Sequence, residues 1–109
     1  MIEVGAIVPP LWTYEVANGL MMARKRGRIT PAESTQAQGL LRSLSIEVAN
    51  RDVLRELARL VELGERFGLT AYDAAYLLLA METGCALATN DAALKAAAAA
   101  AGVSCFAVN

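Results

Sequence analysis

Between Thr70 and Gly84 the chain reads TAYDAAYLLLAMETG, and Ala74, Ala75, Leu77, Leu78, Leu79 and Ala80 place apolar surface on nearly every face of one predicted helix. A helix without a polar side has to be enclosed, and in a small domain that means lying between a sheet and other helices. Thr70 supplies a hydroxyl N-cap and Gly84 a good terminating residue. Asp73 then falls in the first helical turn, where a carboxylate complements the helix dipole. An acid on so apolar a helix also suggests a second task.

Residues 85–89 form a short apolar run of strand length, and Asn90 or Asp91 is placed to cap the Ala-rich helix that follows. Asp91 therefore sits beyond the C-terminal end of a strand. In parallel α/β sheets this edge is where sites are built, because the strand-to-helix turns converge above it. With Asp73 and Asp91 each opening a helix, the two carboxylates are expected to meet there and share a hard divalent cation such as magnesium or manganese.

The chain upstream supplies the rest of an alternating pattern. Residues 6–8 read as a buried strand ended by Pro9-Pro10, with Pro10 suited to the first position of a helix that runs to about Gly27. Leu11, Val16, Leu20 and Met21 give that helix an inward face, and Trp12, Tyr14 and Glu15 lie at its strand-proximal end. Glu15 is expected to face the same edge as Asp73, with Asn18 one turn on as a hydrogen-bonding neighbour; the alternative is an ordinary exposed helix acid. Arg24, Lys25, Arg26 and Arg28 cluster at the helix end, where cations complement the dipole and are also placed to meet nucleic-acid phosphates or an acidic partner segment.

Thr30-Pro-Ala-Glu carries the cap, the proline and the reciprocal glutamate of a capping box, opening a helix to about Leu44 with Leu40, Leu41 and Leu44 facing inward. Ile46 and Val48 mark a second strand, and Asp52 a cap. A helix is expected from Val53 to Phe67, with Val53, Leu54, Leu57, Leu60, Val61 and Leu63 on its apolar side. After Gly102, residues 104–109 read as a final strand. The order β-α-α-β-α-α-β-α-β implies a mostly parallel sheet covered by helices on both faces.

Composition sets the remaining limits. The 109 residues suit one domain over 1–109, 56% hydrophobic and 19% charged, with a formal net charge of −1. Nucleic-acid binding must then come from a local basic patch rather than from the field of the whole molecule. The absence of histidine excludes a Ser-His-Asp triad, a Cys-His dyad and any zinc site that needs imidazole. Cys85 and Cys105, which lack a CxxC spacing, are expected to be buried reduced thiols, with a disulfide as the lesser alternative. No secretory leader or membrane-length apolar run is visible, so the expected setting is cytoplasmic, away from the membrane.

Taken together, Leu69-Thr-Ala-Tyr-Asp-Ala-Ala-Tyr, Leu87-Ala-Thr-Asn-Asp and the Ala-rich helix closing on Gly102-Val103 resemble the PIN domain, particularly the VapC-like ribonuclease toxins of type II toxin–antitoxin pairs. The resemblance extends upstream through Val8-Pro-Pro-Leu-Trp-Thr-Tyr-Glu-Val-Ala-Asn-Gly-Leu and Arg24-Lys-Arg-Gly-Arg-Ile-Thr. It implies a three-layer α/β/α fold and a metal-dependent endoribonuclease that hydrolyses phosphodiester bonds in RNA. The implied ligands of Mg²⁺ or Mn²⁺ are Glu15, Asp73 and Asp91, supported by Asn18, Thr89 and Asn90. An antitoxin-like protein is the implied partner.

The family's opening strand, central in its sheet and bearing a fourth acid, has no counterpart before Val8, so an N-terminally truncated sheet is expected. A sheet without its central strand exposes ladder edges, which favours a homo-oligomer, such as an element-swapped dimer. Loss of one carboxylate weakens a divalent site. The alternative to an active nuclease is thus a catalytically inactive PIN remnant that serves as a protein-binding or oligomerisation module.

Overall fold

The computed structural model describes residues 6–106 and divides the chain into two compact units, Met1–Arg51 and Asp52–Asn109. Each is built on a parallel strand pair joined by a helical crossover.

In the first unit, β1 (Ala6–Val8) leads through Pro9 and Pro10 into α1 (Leu11–Lys25), followed by α2 (Pro31–Ser43) and β2 (Ile46–Val48). The strands pair in parallel with Ala6 opposite Ile46 and Val8 opposite Val48. Pro10 is the N-cap of α1 rather than its first residue, and its helical φ of −55° lets the proline start the turn without a missing hydrogen bond. The helix stops at Gly27, whose φ of +69° is open to glycine at little cost, and the Arg28 N–H returns to the Ala23 carbonyl at 2.9 Å. The expected capping box at Thr30 is present: Thr30 Oγ1 accepts the Glu33 N–H at 3.1 Å, and Glu33 Oε1 accepts the Thr30 N–H at 3.0 Å.

The second unit begins with a 3₁₀ turn, Val53–Glu56, and continues through α3 (Leu57–Phe67), α4 (Ala71–Thr83), β3 (Leu87–Ala88), α5 (Ala92–Ala100) and β4 (Cys105–Phe106). The single helix expected from Val53 is therefore two elements. The change falls at Glu56–Leu57, where the tight turn gives way to α-helix. β3 and β4 pair in parallel, Leu87 opposite Cys105. α4 is the centre of this unit, with α3 and α5 packed against it. Ala74, Leu77 and Leu78 are completely buried, and they join Leu63, Leu87, Leu94, Ala97 and Ala98 in one core. The expectation that α4 is enclosed is met. Alanines on α5 let its backbone come close, and Gly64 does the same for α3, since a Cβ there would stand 3.1 Å from the Leu69 carbonyl oxygen.

Several apolar residues expected to face inward do not. Met21, Leu40 and Leu44 in the first unit are exposed, as are Val53, Leu54, Leu57 and Val61 in the second. In α3 the reason is angular: Leu60, Leu63 and Phe67 lie on the core side, while Leu57 and Val61, exposed like Leu54 in the preceding 3₁₀ turn, form a separate stripe rotated away from it. Helical periodicity identified both sets as one broad face. Cys85 and Cys105 are likewise exposed free thiols, correcting the expectation of burial. Cys85 lies in the turn before β3, and a two-residue strand has too little length to cover its ends. Of the final strand, residues 107–109 lie outside the described residues. No helix among the described residues is long and apolar enough to cross a membrane.

Candidate functional site

Asp73 and Asp91 belong to the second unit, and each opens a helix. At α4 the cap is made by Thr70, whose Oγ1 accepts the Asp73 N–H at 3.2 Å. The Asp73 carboxylate is therefore not spent on capping and stands half-buried in the first turn, where the helix dipole favours its charge. Gly84, with φ of +73°, ends α4 and turns the chain into β3. α4 packs against β3, the strand that leads to Asp91.

Asp91 is the N-cap of α5. Its Oδ1 accepts the Leu94 N–H at 2.8 Å, and its own N–H is received by Thr89 Oγ1 at 3.0 Å. One carboxylate oxygen is thus committed to the helix, and Oδ2 takes no part in the cap. Thr89 holds the turn in place through this bond, with Asn90 exposed beside it. Glu15 and Asn18 belong to the first unit, on the solvent-exposed side of α1 just beyond its first turn. Among the described residues, neither unit by itself gathers three metal-ligating side chains around one point.

The basic cluster divides in two. Arg24 and Lys25 line a groove of about 770 Å³ between α1 and α2, whereas Arg26 and Arg28 stand exposed on the turn that follows. Trp12, Val16, Leu20 and Met21 from α1 and Leu41 from α2 form the apolar part of the groove, and Arg42 adds a third cation. Arg42 was not singled out by sequence, since it stands far along the chain from the other cations. The signal lies in the spacing Ser34, Gln38, Leu41, Arg42, one face of α2 turned to α1.

Comparison with known proteins places these features. The family model of the PIN domain matches residues 2–100. The VapC ribonuclease Mb0985 of Mycobacterium bovis and ribonuclease VapC9 of Mycobacterium tuberculosis are each 36% identical over 88 residues, covering 81% of this chain. The chain spans 66% of the length of these relatives. The crystal structure of PAE2754 from Pyrobaculum aerophilum superimposes with a TM-score of 0.68 at 22% identity, over 88% of this chain and 87% of that one, a likeness of fold alone. The parallel strand pairs with their helical crossovers, the acids at the helix openings and the match over residues 2–100 agree: this chain belongs to the PIN domain family.

Proposed function

We propose that this chain is, or is part of, a metal-dependent endoribonuclease toxin that is neutralised by an antitoxin-like protein. The observation that carries the reading is the pair of acids at the helix openings of the second unit, in a chain 36% identical to relatives named as VapC ribonucleases. Glu15, Asp73 and Asp91 are the proposed ligands of Mg²⁺ or Mn²⁺. Their donor chemistry fits, because hard divalent cations take carboxylate oxygens. The local geometry supports the role as well: Thr70 relieves Asp73 of capping, and the Asp91 cap uses only one oxygen.

A bound divalent cation would lower the pKa of water and stabilise charge on a phosphodiester, the chemistry RNA hydrolysis requires. The protein's own contribution is placement. The Thr89 bond to the Asp91 N–H fixes the turn, the α5 N–H of Leu94 orients the carboxylate, and the buried α4 holds Asp73 on a rigid element. Thr89 and Asn90, with Asn18, are proposed to support the carboxylates; Arg26 and Arg28 are proposed to meet RNA phosphates.

A second reading, a PIN module that binds a protein or a second copy of itself without activity, draws support from the exposed stripe of Leu54, Leu57 and Val61. Titration of Mn²⁺ by calorimetry separates the two. The wild-type chain is expected to bind Mn²⁺, and Asp91→Asn to weaken binding by about tenfold or more while leaving the unfolding midpoint nearly unchanged, since asparagine keeps the N-cap. Asp73→Asn should act in the same direction. Cleavage of single-stranded RNA should disappear with either variant or with a chelator; wild-type protein that binds no Mn²⁺ would leave the binding-module reading.

A further inference from the structure

From Asp73 to Met81 every residue of α4 is buried or half-buried. Tyr72, the residue before, is 66% exposed and is the one large apolar side chain of this helix left in solvent. Tyr76, one turn on along the same face, packs against the core, so Tyr72 continues that face past the point where the core ends. Among the described residues no side-chain hydrogen bond or ring contact holds it. Packing therefore does not explain the ring. Helix formation does not either, since a first turn gains from hydroxyls and carboxylates, and an aromatic side chain loses rotamer freedom there.

What Tyr72 adjoins is Asp73. The two are consecutive in the first turn of α4, on Cα atoms about 3.8 Å apart. Successive side chains on a helix diverge by about 100°, so the ring flanks the carboxylate without covering it. The same order recurs in the first unit, where Tyr14, 78% exposed, precedes Glu15.

We infer that Tyr72 is a base-stacking residue, whose ring receives an unpaired nucleobase beside the phosphate that Asp73 serves. The inference deepens the ribonuclease reading above and rests on it for the ligand. A solvent-exposed aromatic face next to a carboxylate suits a single strand, because every nucleobase has a π-face and stacking needs no particular hydrogen-bond pattern. The spacing agrees. About 3.8 Å between the two Cα atoms is close to the rise of about 3.4 Å per nucleotide along one strand, so a phosphate at Asp73 brings a base of that nucleotide or the next to Tyr72. A duplex fits less well, since its bases are already stacked on one another. The formal net charge of −1 gives phosphates little long-range attraction, and stacking holds a strand without it.

The test uses the 109-residue chain and a fluorescein-labelled single-stranded RNA of about 12 nucleotides, with a chelator present so that nothing is cleaved. Fluorescence anisotropy is expected to show binding that Tyr72→Ala, checked for folding by circular dichroism, weakens about fivefold or more and that Tyr72→Phe and Tyr72→Trp retain. An oligomer with the same sugar-phosphate backbone and no bases should bind wild type and Tyr72→Ala alike. In Mn²⁺, cleavage by Tyr72→Ala should show a raised KM with kcat changed by less than about twofold, the pattern of lost substrate binding. Equal RNA affinity of wild type and Tyr72→Ala, equal weakening of the base-free oligomer, or wild-type protein that binds no RNA would overturn the proposal. So would a fall in light-scattering mass on Tyr72→Ala, which would assign the ring to a contact between copies of the chain. Mn²⁺ titrations keep the two proposals apart. Failure of the ribonuclease reading shows as wild type that binds no Mn²⁺ while RNA binding still depends on Tyr72; failure of this inference shows as normal Mn²⁺ binding with RNA binding indifferent to Tyr72.

Discussion

The two units meet the same problem, how to hold short parallel strands with helices, and differ in how far they bury what they carry. The second unit has a dry core centred on α4, with Leu63, Leu77 and Leu78 almost without solvent contact. In the first unit the buried described residues are Pro9, Ser34 and Ala49, and no residue of α1 is buried. Yet the first unit carries a complete capping box at Thr30, a helix start as well made as any in the second. Good caps are local devices that need only neighbouring residues, whereas a core needs side chains from several elements to converge. Well-formed helices therefore say little about how firmly a region is packed.

Substitutions that test packing should separate the units most. Leu78→Ala in α4 is expected to lower the unfolding free energy by about 2–5 kcal/mol, the range for emptying a fully buried leucine site. Leu40→Ala, at a position 63% exposed in α2, should change it by no more than about 0.5 kcal/mol. Urea unfolding of both variants checks the difference, and equal losses would break the comparison.

Glycine substitutions should have a smaller effect, of opposite sign in the two units. Gly84 holds a φ of +73°, so Gly84→Ala is expected to cost about 1–2 kcal/mol for a left-handed alanine. Gly39 lies inside α2 with open space around its absent side chain, and Gly39→Ala should stabilise by about 0.5–1 kcal/mol. Thermal melts would show the two midpoints moving apart. The caps sharpen the contrast by showing none: Thr30→Ala and Thr70→Ala should each cost about 1 kcal/mol, because both hydroxyls accept an N–H in the same local way. A much larger loss at Thr70 would mean that the cap and the core beneath it are coupled.

Much of this was readable from the chain. The strands Ala6–Val8 and Ile46–Val48, the capping box, the turns at Gly27, Gly84 and Gly102 and the enclosed α4 follow from patterns spanning a few residues. Asp73 and Asp91 were placed at helix openings by the same means, and the structure puts them there. The failures concern partners distant in sequence. Leu54, Leu57 and Val61 have the periodicity of a core face, and Cys85 and Cys105 the composition of buried strands, but all are exposed. Periodicity fixes which residues share a helix face, without fixing what lies against that face.

The sequence by itself determined the order of the main elements, the starts of α2, α4 and α5, and which acids stand at helix N-termini, because hydroxyl caps and prolines act within one turn of chain. Only the tertiary structure decided which apolar stripes are covered. It also divided the basic cluster, setting Arg24 and Lys25 with Arg42 along one groove and leaving Arg26 and Arg28 on the turn outside it. Burial and groove formation depend on the packing of segments far apart in the chain, information that no local window contains.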